Sequence, residues 1–279
     1  MPTLLGSRHD RRLRRAPAGM ASASGQPHHG SSSNGSSLRR RATALGAASL
    51  MAAVSLGVPG AGLAAGGVSV TSYGHSALLI QGGGATVLVN PFKAVGCAAG
   101  LAEPRVRADV ILASSRLLDE GAPVASGRML VTPGSYRVAG LKLEGAAIPH
   151  DRIGGRRFGQ ATLWRWKQGG LEIAHLGGTA APLRPEDRVL IGKPDVLIIG
   201  VGGGAKVYSG AEAAAVVRAL EPRRVIPVQY VSGSAPSGCD QGSIEPFLEA
   251  MSGTPVQRVG RTVSFSAPLS DGPQIKVMR

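Results

Sequence analysis

The sequence predicts an α/β (α+β) protein built as an αββα sandwich, two sheets packed face to face with helices outside. Two patterns predict it. Short apolar strands joined by glycine-rich turns fill the first part of the domain, and buried strands alternating with helices fill the last part. Meanders followed by strand–helix–strand units suit two packed sheets. No internal repeat is visible.

The elements follow in order. Val68–Ser72, Ala77–Ile80 and Thr86–Val89 alternate as β-strands, and Gly82-Gly83-Gly84 turns the last two into a hairpin. Val110–Ala113 and Met129–Val131 are short apolar strands, and Leu141–Ile148 is another. Thr162–Lys167 and Leu171–His175 flank a second hairpin turn, Gln168-Gly169-Gly170. Val196–Ile199 is a continuous apolar run, which suits a strand buried on both faces. Ser209 with Glu212 forms a capping box that starts a helix running to Leu220, and Pro222 lies beyond its end. Val225–Val228 is a strand, Ser243–Met251 a second helix, and Val263–Phe265 closes the set. The run Gly200–Gly204 follows a strand but no Gly-Lys-Ser/Thr follows it, so it is not a phosphate loop. It reads as a flexible loop over a cleft.

Charge divides the chain. Residues 1–66 hold eight Arg against one acid, Asp10, a net +7, and the rest holds 23 basic and 16 acidic residues, again +7. Half of the excess therefore sits in a leader. In the domain the basic residues are scattered, with no Lys/Arg run interleaved with aromatics, which argues against a nucleic-acid groove and for a solvated basic surface. Residues 1–41, rich in Ser, Gly and Arg, are expected to be disordered. Arg39-Arg40-Arg41, the mildly apolar run that begins at Ala42, and the small residues Ala61–Ala65 make residues 42–66 a signal segment. Its paired arginines and weak hydrophobicity resemble a twin-arginine signal. An uncleaved anchor helix and a plastid-type address stay open, as does a start at Met1 or Met20. The expected location is exported, bacterial periplasm or extracellular, with the thylakoid lumen as alternative. No stable membrane span is expected once the signal is cleaved. Residues 67–279 form the domain.

Four motifs in fixed order carry a family resemblance. They are Tyr73-Gly74-His75-Ser76-Ala77 with Val87-Leu88-Val89-Asn90-Pro91-Phe92; the strand before Ser114; His175-Leu176-Gly177-Gly178-Thr179; and Pro194-Asp195-Val196-Leu197 through Ile226-Pro227-Val228-Gln229-Tyr230. From about Val68 to Phe265 the chain resembles the metallo-β-lactamase superfamily, and within it the L-ascorbate-6-phosphate lactonase-like branch of predicted zinc hydrolases. The resemblance implies an αββα fold and a two-metal cleft. In the family a His-x-His-x-Asp-His turn, a later His, a bridging Asp and a final His hold the metals. Here the turn positions fall on Ser115, Leu117, Asp119 and Glu120, the later His on His150, the bridging Asp on Gly178 and the final His on Gln229. The Asp of the family's Asp-Pro is Asn90. Only Asp119 and His150 keep the family's residue type.

Such enzymes lower the pKa of metal-bound water and polarise the scissile bond. Leucine and glycine offer a cation nothing, and serine and glutamine little. The expectation is a fold that has lost zinc catalysis, binds no cofactor, and keeps its cleft for a small-molecule ligand or its fold as a scaffold. The rival is a hydrolase of a lactone, ester or phosphoester with a reduced metal site, in which Asp119, Glu120 and His150 hold one Zn, Mn or Fe ion. His75 and His175, beside strand ends, are candidate acid/base groups or hydrogen-bonded structural residues. No Gly-x-Ser-x-Gly elbow exists, so a serine nucleophile is unsupported. In this fold the loops bearing Cys97 and Cys239 border one cleft, and the two are expected to form a disulfide; two buried free thiols are the alternative. The oligomeric state is not readable from the sequence.

Overall fold

The computed structural model describes residues 66–279. The leader assigned to residues 1–41, and all but the last residue of the signal segment assigned to 42–66, lie outside the described residues. The chain begins β1 (Gly67–Gly74), β2 (Ala77–Gly82), β3 (Ala85–Val89), β4 (Arg107–Leu112), β5 (Ser126–Leu130), β6 (Gly134–Val138) and β7 (Leu141–Pro149). It continues β8 (Gln160–Gln168), β9 (Leu171–His175), α1 (Pro185–Ile191), β10 (Val196–Gly200), α2 (Gly210–Leu220) and β11 (Arg224–Val228). It ends α3 (Glu245–Ala250), β12 (Val256–Arg258), β13 (Thr262–Ser266) and β14 (Gln274–Val277).

Two sheets result, one of six strands in the order β13-β1-β2-β3-β4-β5 and one of eight in the order β12-β14-β11-β10-β9-β8-β7-β6. Their facing sides form one core. Val68 and Val70, Leu78 and Ile80, Val87 and Val89, and Val110 and Leu112 point inward at every second position, as a pleated strand requires. Trp164, Trp166, Ile173, Ile198 and Ile226 meet them from the other sheet. The outer side of the eight-stranded sheet carries Leu163, Ala174, Leu197 and Val225, covered by Ile191 of α1, Val217 and Leu220 of α2, and Phe247 of α3. Leu79, Leu88, Ala108 and Ile111 cluster on the other side of the six-stranded sheet. Polar bridges fix how the sheets face each other. Trp164 Nε1 donates to Ala113 O at 3.0 Å, and Gln168 Nε2 donates to Ala85 O at 2.9 Å.

The capping box of α2 is present: Ser209 Oγ accepts from Glu212 N–H at 3.3 Å, and Glu212 Oε2 accepts from Ser209 N–H at 2.8 Å. Four elements go beyond the sequence reading. They are the exposed hairpin strand β6, the seven-residue α1 begun by Pro185, and the short strands β12 and β14.

Strands β3 and β4 run parallel, as do β9, β10 and β11. Their carboxyl ends therefore gather several loops at shared edges. That is where open α/β sheets carry their sites.

Candidate functional site

The turn after β4 is held from below by an amide. Ser114 N–H donates to Asn90 Oδ1 at 2.8 Å, and Asn90 Nδ2 lies 2.6 Å from Ser114 Oγ. Gly178 N–H also donates to Ser114 Oγ, at 3.3 Å. His75, Asn90 and Gln229 all adopt left-handed backbone, with φ of 49°, 43° and 52°. Such positions cost energy for residues other than glycine, and they cluster at sites. Gln229 N–H donates to His75 O at 2.9 Å, which ties two of the three together.

Glu120 is the centre of the site. It is 0% exposed. Its Oε1 accepts from Ser115 Oγ at 2.7 Å and lies 2.8 Å from His150 Nε2. Its Oε2 accepts from Gln229 Nε2 at 3.3 Å. The His150 contact lies off the direction of a ring N–H, so it is an electrostatic contact rather than an aligned hydrogen bond. Burial pushes the Glu120 carboxyl up, but His150, the Lys206 ammonium and the Ser115 hydroxyl outweigh it and hold the group at about 2. A Cβ at Gly178 would sit 2.0 Å from Glu120 Oε2 and 2.7 Å from His150 Nε2. The carboxylate of residue 120 thus fills the space a side chain at 178 would need.

Asp119 points elsewhere. It pairs with Lys206 Nζ at 2.5 Å, the two side chains being 16% and 12% exposed. Lys206 arrives on the glycine-rich loop after β10, the run expected to be flexible, and hydrogen bonds hold that loop at three points. Gly202 N–H donates to Gln229 O at 3.0 Å, Ala205 N–H to Asp240 Oδ2 at 2.7 Å, and Arg152 Nη1 to Gly204 O at 2.8 Å. Arg152 also binds the α2 cap residue Glu212, with Nε 2.9 Å from Oε1. The Asp151 carboxylate accepts four backbone N–H bonds, from Ile153, Gly155, Arg157 and Phe158, which shape the loop beside it. Burial opposes its charge, and these bonds hold its carboxyl below the usual range.

Two further imidazoles border the site. His175, 0% exposed, is pushed down to about 4 by burial, against the opposing field of Glu120. Burial also lowers His75, with Lys206 adding to it and Asp119 and Glu120 opposing. Both ring nitrogens of His175, and Nε2 of His75, are buried without hydrogen-bond partners among the described residues.

The structure therefore brings together Ser115, Glu120, His150, Gly178 and Gln229, and separates Asp119 from them. Leu117 takes part through its backbone alone: its N–H donates to Ser115 Oγ at 3.0 Å and its carbonyl accepts from Glu120 N–H at 3.1 Å. The convergence of Asp119, Glu120 and His150 that the rival reading requires is not found. Among the described residues no three His, Cys, Asp or Glu side chains are grouped to hold a metal ion. The donor chemistry agrees, since hydroxyl and amide N–H groups point at a carboxylate already engaged. The residues present do not fit the family's metal centre. Sequence reasoning missed Lys206, Arg152 and Asp240. The only signal for Lys206 was a cation directly after a run of glycines at a strand end.

Cys97 and Cys239 form a disulfide with S–S 2.04 Å, as expected. It joins the loop after β3 to the loop after β11 and stands beside a cavity of about 250 Å³ lined in part by Ser72, His75, Tyr230, Ser232 and Arg279. No helix among the described residues is long and apolar enough to cross a membrane.

The family model described as "Beta-lactamase superfamily domain" matches residues 69–229. No functionally curated protein matches the chain. Among solved structures, a proposed Zn-dependent hydrolase of the metallo-beta-lactamase superfamily from Thermotoga maritima is 22% identical, with a TM-score of 0.61, covering 76% of this chain and 100% of that one. Igni18, a metallo hydrolase from Ignicoccus hospitalis, is 17% identical with a TM-score of 0.51, covering 72% and 99%. CmlA, a diiron beta-hydroxylase from Streptomyces venezuelae, is 15% identical with a TM-score of 0.52, covering 71% and 54%. At these identities the likeness speaks for fold. The family match spans more than half of the chain, and the protein belongs to the beta-lactamase superfamily, with the metallo-β-lactamase αββα fold.

Proposed function

We propose that this superfamily member is an exported protein that has lost zinc-dependent hydrolysis and keeps its fold as a binding scaffold. The observation that carries the reading is the Glu120 carboxylate, lodged where a side chain at Gly178 would project and engaged by Ser115, His150 and Gln229. Without lone-pair donors converging on a cation, no bound water is activated. The Asp119–Lys206 pair neutralises the one family carboxylate left on the turn. The cavity beside His75 supports small-molecule binding at the rim. The arginine-led leader supports export, and the disulfide suits an oxidising compartment. The opening Gly-His-Ser motif supports a place near the lactonase-like branch.

One observation favours the rival, a hydrolase of a lactone, ester or phosphoester with one Zn, Mn or Fe ion: the unpartnered buried nitrogens of His75 and His175. Metal content separates the two readings. Protein purified without chelator and measured by inductively coupled plasma mass spectrometry is expected to carry far less than one transition-metal ion per chain. It is also expected to leave lactone, aryl-ester and phosphoester substrates unhydrolysed. Near-stoichiometric metal with turnover overturns the proposal.

A further inference from the structure

The misfit between the family's metal centre and these residues has a definite sign. A metal site aims lone pairs at a cation. Here the Ser115 hydroxyl and the Gln229 amide aim hydrogens at one point, and His150 Nε2 stands 2.8 Å from the same carboxylate. All four side chains belong to buried residues, Glu120, His150 and Gln229 at 0% exposure and Ser115 at 7%. They come from three separate places in the chain, namely the turn after β4, the end of β7 and the end of β11.

Three glycines complete the cradle. A Cβ at Gly177 would lie 2.4 Å from Ser114 Oγ, one at Gly178 would lie 2.0 Å from Glu120 Oε2, and one at Gly200 would lie 2.7 Å from Gln229 Oε1. The backbone carries no side chains against the carboxylate, against its donor Gln229, or against Ser114 beside them.

We infer that the place of the family's metal centre is an oxyanion-binding site, selective for a carboxylate, and that the chain fills it with Glu120. The physical reason is charge complementarity. Hydrogen bonds to a charged acceptor are roughly twice as strong as neutral ones, and a buried carboxylate persists only when such donors surround it. The Lys206 ammonium, held nearby by Asp119, adds a favourable field at the site. The inference rests on the reading that zinc chemistry is absent, and it adds what the remaining groups recognise.

Chemical rescue tests it. Glu120→Ala deletes the γ-carbon, the δ-carbon and both oxygens, which are the heavy atoms of acetate. The variant is expected to melt at a lower temperature than wild type, and sodium acetate is expected to raise that temperature while sodium chloride at equal ionic strength does not. At ten times its dissociation constant a ligand shifts the folding equilibrium about elevenfold, roughly 3–5 °C for a domain of this size. Wild type and Glu120→Gln, whose sites stay filled, are expected to show no acetate-specific shift. If Glu120→Ala does not fold alone, refolding from urea in acetate against chloride gives the same readout. The inference is overturned if acetate neither stabilises nor refolds the variant, or if Zn²⁺ or Mn²⁺ does so instead. Metal content of the wild type fails or survives separately: a metal-free wild type with an acetate-blind variant removes the oxyanion site and leaves the loss of zinc chemistry standing.

Discussion

Replacing Gly178 by alanine isolates the central steric claim. Gly178 is not among the residues with left-handed backbone, so an L-residue is allowed there and only space opposes it. The new Cβ would stand 2.0 Å from Glu120 Oε2 and 2.7 Å from His150 Nε2, far inside contact distance. The carboxylate has to withdraw by about 1 Å or more, which breaks its bond to Gln229 and its contact with His150. A buried charge deprived of its partners costs about 3–5 kcal/mol, and that is the expected loss in Gly178→Ala. In a Glu120→Ala background the same methyl group meets only His150 Nε2, the far end of a side chain that can turn into the space the carboxylate leaves. There it is expected to change stability by less than about 1 kcal/mol, since Gly→Ala at a permitted backbone also restricts the unfolded chain. The double-mutant cycle should therefore return a coupling of about 3 kcal/mol. Urea unfolding followed by circular dichroism at one pH and salt measures all four corners. A Gly178→Ala protein within about 0.5 kcal/mol of wild type, or an equal loss in both backgrounds, refutes the reasoning.

Acid should unfold the domain in two stages. His175 sits at about 4 in the fold against an ordinary 6.5, so the unfolded chain binds the proton first and stability falls as pH drops from 6.5 to 4. Glu120 sits at about 2 against 4.5, so its contribution is present above pH 4.5 and is lost as pH falls toward 2. Each stage amounts to roughly 3 kcal/mol, and urea midpoints that stay level between pH 6.5 and 4 would contradict the first. Lys206→Met leaves Asp119 largely buried and unpaired, and is expected to cost about 1–3 kcal/mol; adding Asp119→Asn should recover part of that loss, and a strictly additive double variant would argue against the pair. Replacing both cysteines by serine removes a link between positions 142 residues apart and should cost about 2–5 kcal/mol. The same change should quicken proteolysis within residues 201–208, because Asp240, next to Cys239, anchors Ala205; unchanged cleavage there would show that the loops are held independently.

Most of the sheet framework was legible because burial on one face imposes a period of two. Val68, Val70, Leu78 and Ile80 show that pattern, and each is buried in the shared core. The elements that escaped lack it. Strand β6 is exposed or half-buried throughout, so no face selects its residues. Strand β14 is four residues long, and α1 has seven, too few for a helical stripe to appear. That Leu117 and Gly178 offer no side-chain donor was also legible. How the side chains around them pair was not. Asp119 and Glu120 are neighbours on one turn, and nothing in their order says which faces inward. Asp119 finds its partner 87 residues away and Glu120 its amide donor 109 residues away, distances at which spacing carries no signal.

Glu120 and Gly178 are linked in space. A carboxylate at 178 and a glutamate at 120 would claim the same volume, because even the first carbon of a side chain at 178 falls on Glu120 Oε2. A chain that carries Glu120 in this rotamer must therefore lack a Cβ at 178, and a chain with an aspartate there must turn residue 120 away. The place where the family holds its metals thus carries, in this chain, a carboxylate on the turn after β4 and none on the loop after β9, with the Ser115 hydroxyl and the Gln229 amide donating to it. That account explains why the pocket stays polar and closely packed instead of collapsing into an apolar core. The Gln229 bond to Glu120 ties the end of β11 to the turn after β4, one element from each sheet, and losing it would leave a buried carboxylate short of a donor.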